Sequence, residues 1–299
     1  MSMTITAPRA TMQPADPQHD DAVLLVEGDD RPGLVHAVSG ALTDRGANII
    51  SLDQYTDHVA DRFFQRAVFH LDELAAERPA VEQSLHTALD GLGLAWHLHE
   101  RSAVKRVAIL ASTSDHCLLD LLWRQRRGEI PMTISMVVSN HSTTAEDVRF
   151  FGIPFFHVPS SGPDKSAAEH RIVDLLAGNI DLIVLARYMQ ILSPDFLERV
   201  GVPVINIHHS FLPAFIGAGP YRKAKERGVK LIGATAHYVT TDLDEGPIIE
   251  QDVVRVTHAD TAADLQRRGA NVERAVLARA VTWHCEDRIM RHGRETVIL

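Results

Sequence analysis

The sequence predicts an α/β protein with two domains of different topology. Residues 22–99 follow the order strand, helix, strand, strand, helix, strand, which is typical of a ferredoxin-like fold. From residue 107 onward, strands alternate with helices, which predicts a Rossmann-like domain with a mostly parallel sheet. A chain of 299 residues is long enough to bury a separate hydrophobic core in each domain.

Composition divides the chain into four segments: a disordered tail at 1–21, a first domain at 22–99, a linker at 100–106 and a second domain at 107–299. The tail is rich in Pro, Asp, Gln and Thr, and it lacks the basic stretch and apolar core of a signal peptide. The linker is charged and has no apolar periodicity. The linker therefore separates two folding units.

In the first domain, apolar periodicity predicts four strands and two helices. Pro32 is well placed to open the first helix, because proline is tolerated at the first helical position. The predicted elements are a strand at Val23–Val26, a helix from Leu34 to about Gly46, strands at Asn48–Tyr55 and Arg62–Leu71, a helix at about Glu73–Leu89 and a strand at Leu92–Leu98.

The second domain is predicted to hold seven strands: Val107–Ala111, Thr133–Ser139, Pro154–Val158, Asp181–Ala186, Val202–Ile207, Ile232–Val239 and Pro247–Val256. The fourth strand is apolar throughout, as expected of a parallel strand covered on both faces. The predicted helices are His116–Arg127, Asp164–Ala177, a short helix from Pro194, Tyr221–Arg227 and Thr261–Cys285, which a break near Gly269 could divide.

Charge and cysteine content narrow the class of protein. The net charge of -9 argues against a nucleic-acid partner, which would require a basic surface. Two cysteines, Cys117 and Cys285, cannot make a disulfide framework, and they fit a reducing compartment. No apolar run reaches membrane-spanning length, so no membrane partner is expected. A cytoplasmic location is predicted.

The strongest candidate for chemistry lies where a buried strand continues into a polar loop. Asn206 and His208 alternate along the chain, so they share a face at the carboxyl end of that strand, where parallel sheets bind ligands. An amide can stabilise an oxyanion, and an imidazole can transfer a proton near neutral pH. Asp244, in a turn marked by Gly246, supplies a carboxylate. The alternative is that Asn206 is an ordinary turn residue and His208 an ordinary loop histidine.

Several common motifs are absent. The chain has no G-x-G-x-x-G after the first strand of the second domain, no Walker A loop and no G-x-S-x-G elbow. Three histidines could gather with Asp244 in one pocket as candidate metal ligands: His208, His209 and His237. They lack the paired spacing and the clear acidic or thiolate partner of a metal site. Chemistry without a metal or cofactor is therefore predicted.

The first domain resembles an ACT domain. The resemblance rests on Asp30-Arg31-Pro32-Gly33-Leu34 and Gly46-Ala47-Asn48-Ile49. It implies that small amino acids bind near the loop after the first strand and that the domains pair into a homo-oligomer. The candidate effector residues are Asp30, Arg31, Gly33 and Asn48, and the candidate effectors are glycine and methionine. The alternative is that this loop serves only to start a helix.

The second domain resembles the formyltransferase fold family, which uses 10-formyltetrahydrofolate. The shared motifs are Asn206 to Pro213, Gly233 to Val239 and Leu243 to Ile249. Asp115 to Leu118 and Ala186 to Ser193, together with the first domain, narrow the resemblance to the formyltetrahydrofolate deformylases. Three positions depart from the usual pattern of that family: Thr113, Phe156 and Gly219.

The resemblance implies hydrolysis of 10-formyltetrahydrofolate to tetrahydrofolate and formate, for purine synthesis or for balancing folate pools. In this interpretation Asn206 and His208 stabilise the oxyanion and Asp244 handles proton transfer. His237 is a candidate support residue. The implied folate-binding residues are Met189, Gln190, Ile191, Leu192, Val239 and Leu243. For Met189 and Ile191 the alternative is ordinary core packing.

Two other functions remain open from the sequence. One is a formyltransferase that uses an amine as acceptor, although Asp115 stands where a phosphate-binding loop would be expected and would repel phosphate. The other is a non-catalytic amino-acid-binding regulator, against which Asn206, His208 and Asp244 all count.

Overall fold

The computed structural model describes residues 20–160, 165–213 and 220–299. The chain divides into two compact units, with the boundary in the sequence between Ala103 and Val104. The predicted tail lies outside the described residues except at its end, where Asp21 already belongs to the first strand. That boundary falls inside the linker predicted at 100–106, where Glu100 is the last residue of one strand and Lys105 is the first residue of the next. On both sides of the linker, the strands extend further than the apolar patterns that predicted them, because backbone pairing continues past the last apolar residue.

The first unit is a four-stranded antiparallel sheet, in the order β2-β3-β1-β4, covered by two helices. Ala22, Leu24 and Val26 alternate along β1 and pack in the core against both helices. This arrangement confirms the ferredoxin-like prediction. The elements are β1 Asp21–Asp29, α1 Leu34–Thr43, β2 Asn48–Asp57, β3 Arg62–His70, α2 Leu74–Leu89, a 3-10 turn at Asp90–Leu92 and β4 Ala95–Glu100.

The second unit is built on a seven-stranded sheet in the order β11-β10-β9-β8-β5-β6-β7. The elements are β5 Lys105–Ala111, α3 His116–Arg126, β6 Met132–Ser139, α4 Ala145–Phe150, β7 Phe155–His157, α5 Lys165–Leu176, β8 Leu182–Ala186, α6 Pro194–Val200, β9 Val204–His208, α7 Pro220–Arg227, β10 Leu231–Tyr238, β11 Ile248–Arg255, α8 Ala262–Cys285, β12 Ile289–His292 and β13 Glu295–Ile298.

The sheet of the second unit is mostly parallel, as predicted. The strands β9, β8, β5, β6 and β7 are parallel, and β10 and β11 extend the sheet in antiparallel fashion. Val107 and Ile109 pack on one face, whereas Ala108 and Leu110 pack on the other. Both faces are therefore buried, and the carboxyl ends of the parallel strands meet at one edge.

Three features of the second unit differ from the prediction. The short helix α4 and the β12-β13 hairpin were not predicted, because neither has a strong apolar periodicity. Helix α8 continues through Gly269 without the break that the sequence allowed. A Cβ at Gly269 would lie 2.0 Å from the Tyr221 hydroxyl oxygen, so glycine permits close packing there. Among the described residues, no helix is long and apolar enough to cross a membrane.

Candidate active site

A cavity of about 410 Å³ lies at the carboxyl ends of β8 and β9, beside the loop that follows β10. All four polar residues predicted for catalysis or its support line this cavity: Asn206, His208, His237 and Asp244. So do the six residues predicted to bind folate: Met189, Gln190, Ile191, Leu192, Val239 and Leu243. Residues from three separate stretches of the sequence are thus brought to one place.

Asn206 is oriented by His237, its direct partner on the antiparallel strand β10. The Asn206 Nδ2 atom lies 3.2 Å from His237 Nε2. On its other side, His237 Nδ1 lies 2.9 Å from the Tyr238 carbonyl oxygen, which can only accept a hydrogen bond. Nδ1 therefore carries the proton, and Nε2 of the neutral ring accepts from the amide. One amide N–H is fixed in this way, and the other is left for a ligand.

His208 is almost fully buried and faces Asp244. Its Nδ1 atom lies 3.3 Å from Asp244 Oδ1. Its Nε2 atom is buried and has no hydrogen-bond partner in the described part of the chain. A buried nitrogen without a partner is unfavourable in a resting protein, and such atoms often mark ligand positions. The ring therefore has one nitrogen held by the protein and one free for chemistry.

Asp244 sits in a tight turn with a left-handed backbone (φ 57°), which aspartate tolerates better than most residues. Gly246 fixes this turn, because a Cβ there would lie 1.8 Å from the Tyr238 carbonyl oxygen. The hydrogen-bond contact with His208, and after it the proximity of His237, hold the pKa of Asp244 well below its usual range, despite partial burial. Asp244 is therefore a carboxylate at neutral pH.

The mouth of the cavity is apolar and exposed. Met189, Ile191 and Leu243 each expose 58% of their surface. Core packing is therefore the wrong explanation for Met189 and Ile191. Met189 also has a positive φ of 59°, a conformation that a residue of this shape rarely adopts without a functional reason. An exposed apolar rim around a polar interior suits a flat heterocycle with a polar reacting group.

The sequence did not single out a second buried cluster at this edge of the sheet, which we call the Glu273 cluster: His116, Arg187, Tyr221 and Glu273. His116 Nε2 donates to Glu273 Oε2 at 2.9 Å, and the Tyr221 hydroxyl donates to Oε1 at 2.5 Å. Arg187 Nε lies 3.4 Å from Oε2. Burial alone would raise the pKa of Glu273, but His116, Arg187 and Tyr221 together lower it to about 2.

The Glu273 cluster could have been suspected from one signal. Glu273 lies within the apolar stripe of α8, four residues from both Gly269 and Leu277, where a charged side chain must be buried. A buried carboxylate requires partners. Those partners come from α3, from the residue after β8 and from α7, so no local motif reveals them.

In the described residues, one group of side chains has a geometry that could hold a metal ion: His116, Cys117 and Glu273, whose ligand atoms lie within 4.8 Å of one another. Its chemistry fits a cation poorly. Burial, followed by the charge of Glu273, raises the pKa of Cys117 well above its ordinary value, so the thiolate is disfavoured. Glu273 already has both oxygens occupied and Arg187 beside it.

The predicted effector residues of the first unit lie at two element boundaries. Arg31 and Gly33 are exposed, and Gly33 is the left-handed residue (φ 95°) that precedes α1. Asp30 donates its backbone N–H to the Asp61 carbonyl, and Asn48 opens β2. A cleft of about 440 Å³ lies elsewhere in this unit, between α1 and α2.

Of the three positions that depart from the family pattern, Gly219 lies outside the described residues.

Comparison with known proteins adds independent evidence. Residues 22–86 match the ACT domain family and residues 105–281 match the formyl transferase family. A formyltetrahydrofolate deformylase of Mycobacterium tuberculosis is 58% identical over 277 residues, which cover 92% of this chain and 89% of the relative. The chain belongs to the formyltetrahydrofolate deformylase family.

Other formyltetrahydrofolate deformylases match over nearly the same extent. The Bacillus subtilis relative is 47% identical over 285 residues, or 95% of each chain. The crystal structure of a formyltetrahydrofolate deformylase from Pseudomonas syringae is 41% identical, with a TM-score of 0.89 over 93% of this chain and 94% of that one. The order of an ACT domain followed by a formyltransferase-fold domain is thus that of the family.

Proposed function

We propose that this chain hydrolyses 10-formyltetrahydrofolate to tetrahydrofolate and formate. Membership of the deformylase family supports this reaction. The single geometric observation that carries it is the cavity in which Asn206, His208 and Asp244 meet. An amide, an imidazole and an ionised carboxylate are the groups that attack of water on a formyl carbon requires.

In the proposed mechanism, water adds to the formyl carbon and negative charge develops on the formyl oxygen. The free N–H of Asn206 and the Nε2–H of protonated His208 donate to that oxygen, while His208 Nδ1–H faces Asp244 at 3.3 Å. Asp244 accepts a proton from the attacking water and returns it to N10 as the C–N10 bond breaks, and the formic acid that forms then loses its proton. The products are tetrahydrofolate and formate, with one proton released to solvent.

The apolar mouth would hold the pterin ring. Met189, Ile191 and Leu243 supply exposed apolar surface, and backbone groups around Gln190 and Leu192 can pair with the polar edge of the heterocycle. Six residues are proposed to bind folate: Met189, Gln190, Ile191, Leu192, Val239 and Leu243. This arrangement would place N10 and its formyl group towards the polar interior.

The decisive experiment measures formate release from 10-formyltetrahydrofolate by the purified protein, in the presence of EDTA and without an added amine. We expect release by the wild-type protein and a loss of about 10²-fold or more in Asp244→Asn. Activity that depends on an added amine would instead identify a transferase. Turnover in neither assay, with small amino acids bound, would favour a regulatory protein.

We also propose that the ACT domain regulates this reaction by binding a small amino acid, glycine or methionine, at Asp30, Arg31, Gly33 and Asn48. Coupling between sites is reciprocal, so the effector must bind with a different affinity when folate is present. Calorimetric titration of glycine and of methionine, with and without bound folate, tests this. Identical affinities in both states would reject binding-linked regulation.

A homo-oligomer formed through the ACT domains is part of the proposal. The edge strand β2 supports it, since Ile50 and Tyr55 expose 53% and 47% of their surface and the strand pairs on one side only. We place the reaction in the cytoplasm, where a reducing environment suits the two free cysteines. The formate would serve purine synthesis or adjust the balance of folate pools.

A further inference from the structure

An incompletely bonded guanidinium group lies on the wall of the candidate active site. Arg187 lines the cavity, and its side chain is only 13% exposed. Its Nε and Nη1 atoms are buried and have no hydrogen-bond partner within the described residues. The contact to Glu273 Oε2 is an ion pair at 3.4 Å. Arginine donors that are buried without acceptors are unfavourable, so this group is prepared for an anionic ligand.

Strand register places Arg187 beside the reacting groups. In the parallel pair β8-β9, Leu185 pairs with Asn206; Arg187 directly follows the last residue of β8, and His208 is the last residue of β9. Neighbouring strands lie about 4.8 Å apart, so the two backbones start side by side. Burial, and after it the charge of Arg187, lower the pKa of His209 to about 4. The guanidinium therefore acts on the residue next to His208.

The backbone of Arg187 points to the same conclusion. Its φ is 61°, a left-handed conformation that is unfavourable for a non-glycine residue. This conformation turns the chain out of the strand immediately after Ala186, the last residue of β8. If the side chain had no role, glycine would be the more favourable residue at this position, because it adopts a positive φ without strain. The presence of arginine at a strained position next to a cavity indicates a requirement for its charge.

The proposed reaction creates a need for such a charge. Formate is an anion at neutral pH, and it forms beside Asp244, which is itself ionised. Two carboxylates that lie side by side in one cavity repel each other. Glu273 does not satisfy Arg187 fully, because its contact to Nε is an ion pair at 3.4 Å and neither Nε nor Nη1 makes a hydrogen bond within the described residues. The buried N–H groups of Arg187 remain available to an acceptor.

We propose that Arg187 binds the carboxylate of the product formate, with its free Nη1 donors directed at the formate oxygens. The planar fork of a guanidinium matches a carboxylate in geometry and charge. Glu273 is then a positioning residue that holds the guanidinium at the cavity wall. This inference rests on the proposed hydrolysis, which supplies the formate, but the binding site itself can be tested without turnover.

The experiment measures formate binding directly and during turnover. Line broadening of 13C-formate by the full-length protein gives affinity without catalysis, and inhibition of 10-formyltetrahydrofolate hydrolysis by added formate gives a Ki. The variants are Arg187→Gln, which removes the charge, and Arg187→Lys, which keeps it without the fork. Arg222→Gln on α7 is the control, since Arg222 is 77% exposed and lies outside the cavity lining. Formamide, neutral and similar in size, serves as the control ligand.

Formate affinity should fall by about 10- to 100-fold in Arg187→Gln, the loss expected for a charge-assisted hydrogen bond. Arg187→Lys should lose less, on the order of a few-fold, and Arg222→Gln should match the wild type. Formamide should not distinguish the variants. Thermal melting ensures that the comparison is between folded proteins, and Arg187→Lys provides a readout if Arg187→Gln does not fold.

Three results would overturn the inference: no formate binding by the wild-type protein, equal formate affinity in the wild-type and Arg187 variants, or formamide binding that depends on Arg187 as strongly as formate binding does. Failure of the proposed function has a different signature. In that case 10-formyltetrahydrofolate is not hydrolysed, while 13C-formate still reports whether Arg187 binds the anion.

Discussion

Two carboxylates at the same edge of the sheet, the half-buried Asp244 and the buried Glu273, contrast in how fully they are bonded. The contacts that Asp244 makes to His208 and His237 within the described residues both fall on Oδ1, and its side chain is 13% exposed to the cavity. Glu273 is 2% exposed and uses both oxygens, with Arg187 as an additional ion-pair partner. Both groups are ionised, but only Asp244 retains an oxygen for a ligand.

The difference teaches that unused hydrogen-bonding capacity, and not burial or a lowered pKa, separates a candidate catalytic carboxylate from a structural one. Both pKa values are lowered by hydrogen bonds from neighbouring side chains. A search for perturbed carboxylates alone would select both residues. Access to the cavity and an unoccupied oxygen select Asp244.

Of the four changes predicted below, removal of Glu273 should have the largest effect, which is a loss of stability. Glu273→Ala leaves the guanidinium of Arg187 buried without its counter-ion, which costs about 3–5 kcal/mol of unfolding free energy. Urea unfolding followed by circular dichroism measures this. The control is Glu226→Ala, which removes an exposed ion pair with Arg222 and should cost less than about 1 kcal/mol. Similar losses in both variants would refute a structural role for Glu273.

Acid should weaken the Glu273 cluster in a defined direction. The pKa of Glu273 is about 2 in the folded state and about 4.3 in the unfolded chain, so its stabilisation is complete above pH 4.3 and is lost as the pH falls towards 2. The wild-type protein should therefore exceed Glu273→Gln in stability at neutral pH by about 3 kcal/mol at most. Urea unfolding between about pH 7 and about pH 3 should show this gap closing. A constant gap would contradict the assignment.

Displacing Asp244 without changing its chemistry should reduce activity. A Cβ at Gly246 would lie 1.8 Å from the Tyr238 carbonyl oxygen, so Gly246→Ala must shift the turn that carries Asp244. Displacement by about 1 Å typically costs about 10²-fold in rate, and formate release at saturating substrate measures it. Gly40→Ala is the control, because a Cβ there meets nothing within 4 Å. Unchanged kcat in Gly246→Ala would show that the turn does not set the catalytic geometry.

The smallest effect is expected at the mouth of the cavity. Met189→Ala removes an apolar surface that is already 58% exposed, so the folded protein loses little stability. If Met189 covers the pterin, KM should rise by up to about 10-fold while kcat changes little, since about 1.4 kcal/mol of uniform binding is removed. Steady-state kinetics on 10-formyltetrahydrofolate separates the two constants. A fall in kcat alone would place Met189 in a different role.

Much of this architecture could be predicted from sequence because the signals are local. Alternation along β9 placed Asn206 and His208 on one face, and turn residues around Asp244 marked the loop that meets them. The Glu273 cluster escaped prediction for the opposite reason. Its four members come from four distant parts of the chain, and only folding brings them together. The helix α4 and the β12-β13 hairpin are too short for periodicity to be decisive.

Across the residues that the structure describes, six non-glycine residues have a positive φ, and three of them line this one cavity: Arg187, Met189 and Asp244. Each is a place where glycine would relax the backbone by about 1 kcal/mol. A laboratory selection for heat resistance alone would therefore favour glycine at these positions and remove the guanidinium, the apolar rim and the carboxylate together. Stabilised versions of this protein should be sought in the rest of the molecule, with these three codons held constant.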